Sequence, residues 1–396
     1  MCDADRPPRF YYSMRLPARS YNHGNAASLV ILDDIYPHIL SAFRIAEYNA
    51  YLARYAGSIA LSTAAAFPTI GETRSLEAVT EHFEQLYPQL KNRVFRFDSK
   101  VPPARLAYFM FVHNARRFLA AIKKSKTPFV FTLYPGFQMN QPESDEMLRQ
   151  ICESRYLRKI ITTQRITYEY LSQFVEADKV AFIYGGVFPS QRLGATLPAR
   201  RYYQQHKDTF DICFVAFKYM PKAINKGYDV FIAVARELSR LYDDVRFHVV
   251  GPMDSWDIDV SDFRDRINFH GIQQTDFFPP FHAGMDLILS PTVPFVILPG
   301  SFDGFPTGAS IEAALCGVPV FCTDILKQNI AFKDGEEIVI INREVREICQ
   351  VISHYRSRYD ELTEIGRRGQ RAFQRELGLD HQMNQRFEIL DALLLD

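Results

Sequence analysis

Residues 301–324 read SFDGFPTGASIEAALCGVPVFCTD. Gly304, Pro306 and Gly308 make a tight loop, and small residues then favour a short helix to about Cys316. Gly317 is placed to end that helix, with Pro319 at the start of the next strand. A glycine-containing loop that opens a helix presents N–H groups with no intrahelical acceptor at the positive end of the helix dipole, which suits a phosphate or diphosphate. Glu312 falls in the expected first turn. A carboxylate there is accounted for either by dipole placement, about 0.3–1 kcal/mol, or by contact with a ligand.

Outward from this segment, short apolar runs alternate with helical patterns. In the first half the runs are Leu29–Asp33, Ser58–Ser62, Val94–Phe97, Phe129–Tyr134, Lys159–Thr163 and Val180–Tyr184. The second half repeats the order with Ile212–Phe217, Val245–Val250, Ile267–His270, Leu287–Ser290, Val318–Cys322 and Ile338–Ile341. Most are uninterrupted, as strands covered on both faces should be. Between them, Tyr228–Tyr242 places Phe231, Val234, Leu238 and Leu241 on one helical stripe. Strand alternating with helix predicts an α/β chain of two Rossmann-like, doubly wound parallel-sheet domains facing a cleft, where ligands bind in such designs. The expected boundaries are a first domain over 1–188, a linker over 189–210, a second domain over 211–380, and a C-terminal helix over 381–396 that crosses back to the first domain. Neither GxGxxG nor GxxxxGK[ST] occurs, so a dinucleotide or P-loop site has no local support.

The net charge of the 396-residue chain is zero, but residues 1–200 carry 25 basic against 17 acidic side chains and the remainder 21 against 29. A uniformly basic nucleic-acid binder is excluded, and a basic surface on the first half is not. With 47% hydrophobic residues the chain is not disordered. Cysteines at 2, 152, 213, 316, 322 and 349 form no CxxC pair and read as reduced thiols. The opening MCDADRPPRF lacks signal-peptide character, so a cytoplasmic location is expected.

The run DGFPTGASIEAALCGVPV resembles the donor-site motif of the retaining glycosyltransferases of family 4, the group 1 enzymes of GT-B fold. The resemblance extends over the second half: ICFVAFKYMPKAINK with the following Gly-Tyr-Asp is similar to that family's first strand and basic pair, and VVGP, FHG and DLILSP keep its order. In the first half, Tyr184–Val187 (YGGV) is similar to the family's last N-domain strand and turn. The resemblance implies that Glu312 hydrogen-bonds the nucleotide ribose, that Lys226 with Lys218 or Lys222 neutralises the diphosphate, and that Asp303 contacts sugar hydroxyls. Backbone amides around Phe305, Pro306 and Thr307, flanked by Gly304 and Gly308, would face sugar or phosphate. It also implies retention through front-side attack assisted by the leaving phosphate. Asp303 and Glu312 stand nine residues apart, one more than is usual in that family.

A leaving diphosphate must be met by a metal, by cations or by oriented dipoles. Asp257-Ile258-Asp259 spells DxD but sits in the polar stretch MDSWDIDVSD and reads as solvated loop. Asp33-Asp34 follows an apolar strand, where a turn device competes with a metal site. No metal and no cofactor are therefore expected, the lysines and helix terminus serving instead. Acceptor-side candidates are Asp33, Asp34, His38 and Tyr134, at strand ends that face the cleft; His38 is open to a base role or an ordinary loop role. Related enzymes often carry a histidine at the position of Tyr134. His248 reads as a packed strand residue.

Arg105–Lys126 (RLAYFMFVHNARRFLAAIKKSK) reads as one amphipathic helix, with Arg116, Arg117, Lys123, Lys124 and Lys126 beside Phe109, Phe111, Phe118, Leu119 and Ile122. Its basic face is either plainly solvated or lies on an anionic membrane. The expected activity is metal-independent transfer of a sugar from a nucleoside diphosphate sugar to a hydroxyl of a glycan or lipid-linked acceptor in cell-surface polysaccharide synthesis. A non-catalytic nucleotide-sugar-binding subunit and an epimerase of the same fold remain open.

Overall fold

The structure, a computed structural model, describes residues 26–190 and 199–395. Among these residues the strands form two wholly parallel sheets. The first holds β1 (Ala27–Asp33), β2 (Ile59–Ser62), β3 (Val94–Arg96), β4 (Ala104–Met110), β5 (Phe129–Leu133), β6 (Leu157–Thr162) and β7 (Val180–Phe182), in the order β3-β2-β1-β4-β5-β6-β7. The second holds β8 (Phe210–Val215), β9 (Val245–Val250), β10 (Ile267–Phe269), β11 (Leu287–Ser290), β12 (Val320–Cys322) and β13 (Val339–Ile340), in the order β10-β9-β8-β11-β12-β13. Strand order reverses beside β1 and beside β8, and in open α/β sheets the crevice at such a switch point, beyond the strand C-termini, is where ligands bind.

The first lobe carries α1 (Ala42–Arg54), α2 (Leu76–Leu86), α3 (Val112–Ser125), α4 (Pro142–Cys152) and α5 (Arg165–Leu171). Its sheet is covered on both faces: Val30, Leu32, Phe109 and Phe131 pack with α3 and α4, and Leu29, Ile31, Tyr108 and Val130 pack with α1. The second lobe carries α6 (Tyr228–Leu241), α7 (Phe278–His282), α8 (Gly308–Leu315), α9 (Val345–Ser357) and α10 (Tyr359–Leu377). On α6, Phe231, Val234 and Leu238 are fully buried, but Leu241 is 62% exposed, so the expected stripe stops one turn early.

Arg105–Lys126 is not one helix. Its first residues form β4, a central strand whose Leu106 to Met110 are wholly buried, and α3 begins only at Val112 after Phe111 takes a positive φ of 70°. A fully buried strand and a buried helix face carry the same unbroken apolar pattern, so periodicity alone could not separate them. Phe109 consequently belongs to the sheet, and the basic residues 116–126 belong to α3.

A last helix, α11 (Leu379–Leu395), follows α10 and leaves the second lobe. Met383, Leu390 and Leu394 enter the core of the first lobe, while Arg386, fully buried, faces Glu47 of α1 and the hydroxyl of Tyr134. At this crossing Gly185 has φ 83°, and a Cβ there would lie 2.3 Å from Leu377 Cδ2, so a side chain would collide with the end of α10. Of the expected linker, 191–198 lie outside the described residues. Residues 199–209 lie on the second lobe: Arg200 donates to the carbonyls of His282 and Met285, and Lys207 is held at 2.5 Å by both Asp211 and Asp286.

Candidate active site

Two cavities open beside α8 and its cap. One, of about 150 Å³, is lined by the ends of β8 and β9 (Val215–Phe217, Val250 and Gly251), by residues 272–275, by Ile39 and Leu40 of the first lobe, and by Glu312. Its floor depends on Gly251, whose φ is 131° and whose Cβ would lie 1.9 Å from the Ala216 carbonyl. The other, smaller at about 30 Å³, is lined by Thr292–Pro294, Asp303–Phe305, Thr307, residues 322–326 and Gln328.

Between them Thr307 caps α8. Its Oγ1 accepts from Ser310 N–H at 3.4 Å and lies 3.3 Å from Ser290 Oγ, leaving the amides of Gly308 and Ala309 with no acceptor inside the helix. Glu312 is the fifth helical residue and stands in the second turn, not the first, so dipole placement does not account for it. It is half-buried, has no side-chain partner among the described residues, and burial pushes its carboxyl up to about 7. An unpaired carboxylate half out of water is costly unless a ligand supplies hydrogen-bond donors.

The structure separates the three lysines. Lys226 meets Asp303 at 2.6 Å, with its ammonium 5.2 Å from the centre of the Tyr219 ring. Lys218 is held at 3.0 Å by Asp257, which is half-buried; the DxD stretch is therefore an anchored loop and not merely a solvated one. Lys222 is exposed, with φ 57°. The loop that precedes α8 also differs from expectation. Phe305 is buried and its N–H donates to Gln164 Oε1 of the first lobe at 3.0 Å, so this amide does not face a ligand. Pro306 has no N–H, which leaves Thr307, Gly308 and Ala309 as the open amides. Gly304 lies against the first lobe, and a Cβ at Gly308 would come within 3.3 Å of the Phe188 ring.

On the first-lobe face, most polar candidates are committed to one another. Asp33 Oδ1 accepts from Ile35 and Tyr36 N–H at 2.8 Å each, and its Oδ2 from Tyr48 Oη at 2.9 Å and from Arg44 and Asn114 at 3.2 Å. His38 Nδ1 accepts from Leu40 N–H at 3.2 Å and its Nε2 meets Glu72 at 2.9 Å; both nitrogens are occupied, and burial lowers its pKa. Tyr134 turns its hydroxyl inward to Glu47 Oε2 at 2.8 Å, away from the cleft, because Glu47 and Arg386 need partners in the dry core. His248 sits in its strand between Asp211 and His270, at 2.7 and 3.2 Å.

Asp34 differs. It is buried, its Oδ1 has no hydrogen-bond partner among the described residues, and its Oδ2 lies 3.4 Å from Nε2 of the half-exposed His113. Burial pushes the Asp34 carboxyl up, but the His113 contact and the charges of Arg44 and Arg117 outweigh it and hold the group below its ordinary value. His113 was hidden by the helix reading of residues 105–126. Recognising β4 as a strand would have placed it just past a strand C-terminus, beside the switch point. Among the described residues no three His, Cys, Asp or Glu side chains converge as a metal site, and no helix is long and apolar enough to cross a membrane.

Residues 230–388 match the family model described as "Glycosyl transferase-like". A comparison with curated protein sequences finds no match. Among solved structures, Anabaena HepE, captured in complex with UDP and glucose, shares 16% identity at TM-score 0.67 over 92% of this chain and 100% of that one. A glycosyltransferase from Rickettsia africae shares 14% at TM-score 0.64, over 93% and 99% of the two chains. Sucrose-phosphate synthase from Thermosynechococcus elongatus shares 13% at TM-score 0.60, over 92% and 99%. The chain therefore has the two-lobed GT-B fold of these glycosyltransferases.

Proposed function

We propose that the protein is a retaining glycosyltransferase of family 4 that moves a sugar from a nucleoside diphosphate sugar to a hydroxyl of a glycan or lipid-linked acceptor, without a metal. The observation that carries this reading is the seating of α8 between two cavities, one reaching Glu312 and the other Asp303. That layout suits a three-part ligand: nucleoside on the Glu312 side, diphosphate over the amides of Thr307, Gly308 and Ala309, sugar toward Asp303. Glu312 would accept from the ribose hydroxyls, which favours its ionised form.

As the sugar–phosphate bond breaks, charge grows on the leaving diphosphate. The α8 amides and Lys226 meet it there, and Lys226 must exchange Asp303 for phosphate to do so. Asp303 is then released toward the sugar. With the first-lobe carboxylates Asp33 and Asp34 engaged by cations, this face offers no obvious nucleophile, in keeping with attack from the leaving-group side. Asp34 and His113 are the first-lobe pair that an acceptor hydroxyl would meet. A role in surface polysaccharide synthesis and contact of α3 with an anionic membrane complete the proposal.

The test is a panel of nucleotide sugars, beginning with UDP-glucose, assayed for nucleotide release with and without simple glycoside acceptors. Slow hydrolysis of one donor, accelerated by an acceptor, is the expected result. Binding with no turnover under every condition would instead favour a non-catalytic binding subunit, and a changed sugar without acceptor an epimerase.

A further inference from the structure

The donor loop is fastened from the opposite lobe. Gln164, at the residue preceding α5, is only 2% exposed and reaches the second lobe, where its Oε1 accepts from Phe305 N–H at 3.0 Å and its Nε2 donates to the Phe305 carbonyl at 3.2 Å. One side-chain amide thus satisfies both backbone polar groups of a single buried residue. Such pairing needs a donor and an acceptor side by side, which among neutral side chains only Gln and Asn provide, and Asn is one methylene shorter.

Two residues on, Ile166 N–H donates to Gln328 Oε1 at 2.8 Å. Phe305 and Gln328 belong to different segments of the second lobe, yet both line the Asp303 cavity. Gly304 lies directly against the first lobe: a Cβ there would sit in ordinary contact, 3.4 Å from Gln164 Nε2 and 3.6 Å from Pro135 Cγ. Separating the lobes would remove the partner of the Phe305 N–H and of its carbonyl at the same moment, so water or a rearranged loop would have to satisfy both.

We propose that Gln164 is a positioning residue that couples lobe closure to the shape of the donor loop, so that Asp303 takes its working position only when the first lobe is docked. The chemistry assigned to that arrangement rests on the nucleotide-sugar reading above; the latch itself rests on the geometry alone.

The experiment compares wild type with Gln164→Ala, using Gln328→Ala as the companion that removes the second tie. In Gln164→Ala, amide exchange over residues 303–308 should rise by about tenfold or more, while exchange in the central strands β4 and β8 stays unchanged and reports an intact fold. UDP affinity should move by less than about threefold, and UDP-glucose turnover should fall by about tenfold or more in kcat with little change in KM, a split that a general loss of structure would not give. Gln328→Ala should move both readouts the same way by a smaller factor. Unchanged exchange over residues 303–308 would overturn the latch whatever the activity, and faster exchange with unchanged kcat would overturn its positioning role. A wild-type protein that neither binds UDP nor releases it from UDP-glucose would count against the donor reading, and the exchange comparison would still decide the latch.

Discussion

Asp33 and Glu312 are carboxylates at comparable places, each beside the switch point of its own sheet, and they are treated oppositely. Asp33 is surrounded by donors from its own loop, from α1 and from α3. Glu312 faces a cavity with no side-chain partner among the described residues and a pKa raised to about 7. The same contrast runs through their neighbours: Tyr134 and His38 are spoken for inside the first lobe, while the amides at the start of α8 are left open. The first lobe uses polar groups near the cleft mainly to hold itself together, and the second holds them ready for something else.

Substitutions can break this comparison, the largest effect coming first. Asp33→Ala should cost about 3–5 kcal/mol of stability in denaturant titration, since it takes the main partner from the half-buried Arg44 guanidinium and strands the buried Tyr48 hydroxyl and Asn114 amide. The protein that remains folded should bind UDP normally; impaired binding with unchanged stability would erase the distinction. Glu312→Ala should do the reverse, weakening UDP about a hundredfold with no loss of melting temperature.

Glu312→Gln sharpens the point through pH. A raised folded pKa means that the unliganded fold favours the protonated form. Stability from this group is therefore full below the ordinary value of 4.5 and is lost as pH rises through about 7. In the proposed binding mode ribose hydroxyls donate to the ionised form, so UDP affinity should rise with pH up to about 7 and level off above it. Below that point it should weaken by roughly tenfold per unit. UDP titrates in the same range, and the difference between wild type and Glu312→Gln isolates the protein's share.

Lys123→Ala with Lys124→Ala should lower binding to anionic vesicles by about 2 kcal/mol, roughly thirtyfold at low salt, if α3 meets a membrane. Binding that is absent or indifferent to salt would leave its basic face simply solvated. Asp303→Asn frees Lys226 and should tighten UDP by about threefold while slowing UDP-glucose turnover. Weaker UDP binding would mean that the Lys226–Asp303 pair is not exchanged for phosphate.

Much of the fold was legible because parallel, buried strands announce themselves as short apolar runs, and twelve of them recur in order. The exception is instructive: β4 runs straight into α3, both sides are apolar, and only the backbone at Phe111 marks the join. The gathering of Thr307, Gly308 and Glu312 on one helix and its cap was legible because they lie in one contiguous loop-and-helix segment. The pairing of Lys218 with Asp257, of Gln164 with Phe305 and of Tyr134 with Glu47 was not, because each joins residues far apart in sequence and turns on which groups are left dry when the lobes pack. His113 was lost with the strand that positions it.

The return of α11 has a consequence for how such a molecule could be recombined. An exchange of first lobes between relatives cannot be made with one cut. Arg386, Met383, Leu390 and Leu394 are core residues of a lobe encoded mostly before residue 190, so a graft must carry both ends of the chain together. A chimera joined only between the lobes would set a foreign helix against Glu47 and Tyr51, leaving a buried charge without its match. Variation of the first lobe in this architecture is thus steered toward the loops at the strand ends and away from wholesale replacement of the lobe.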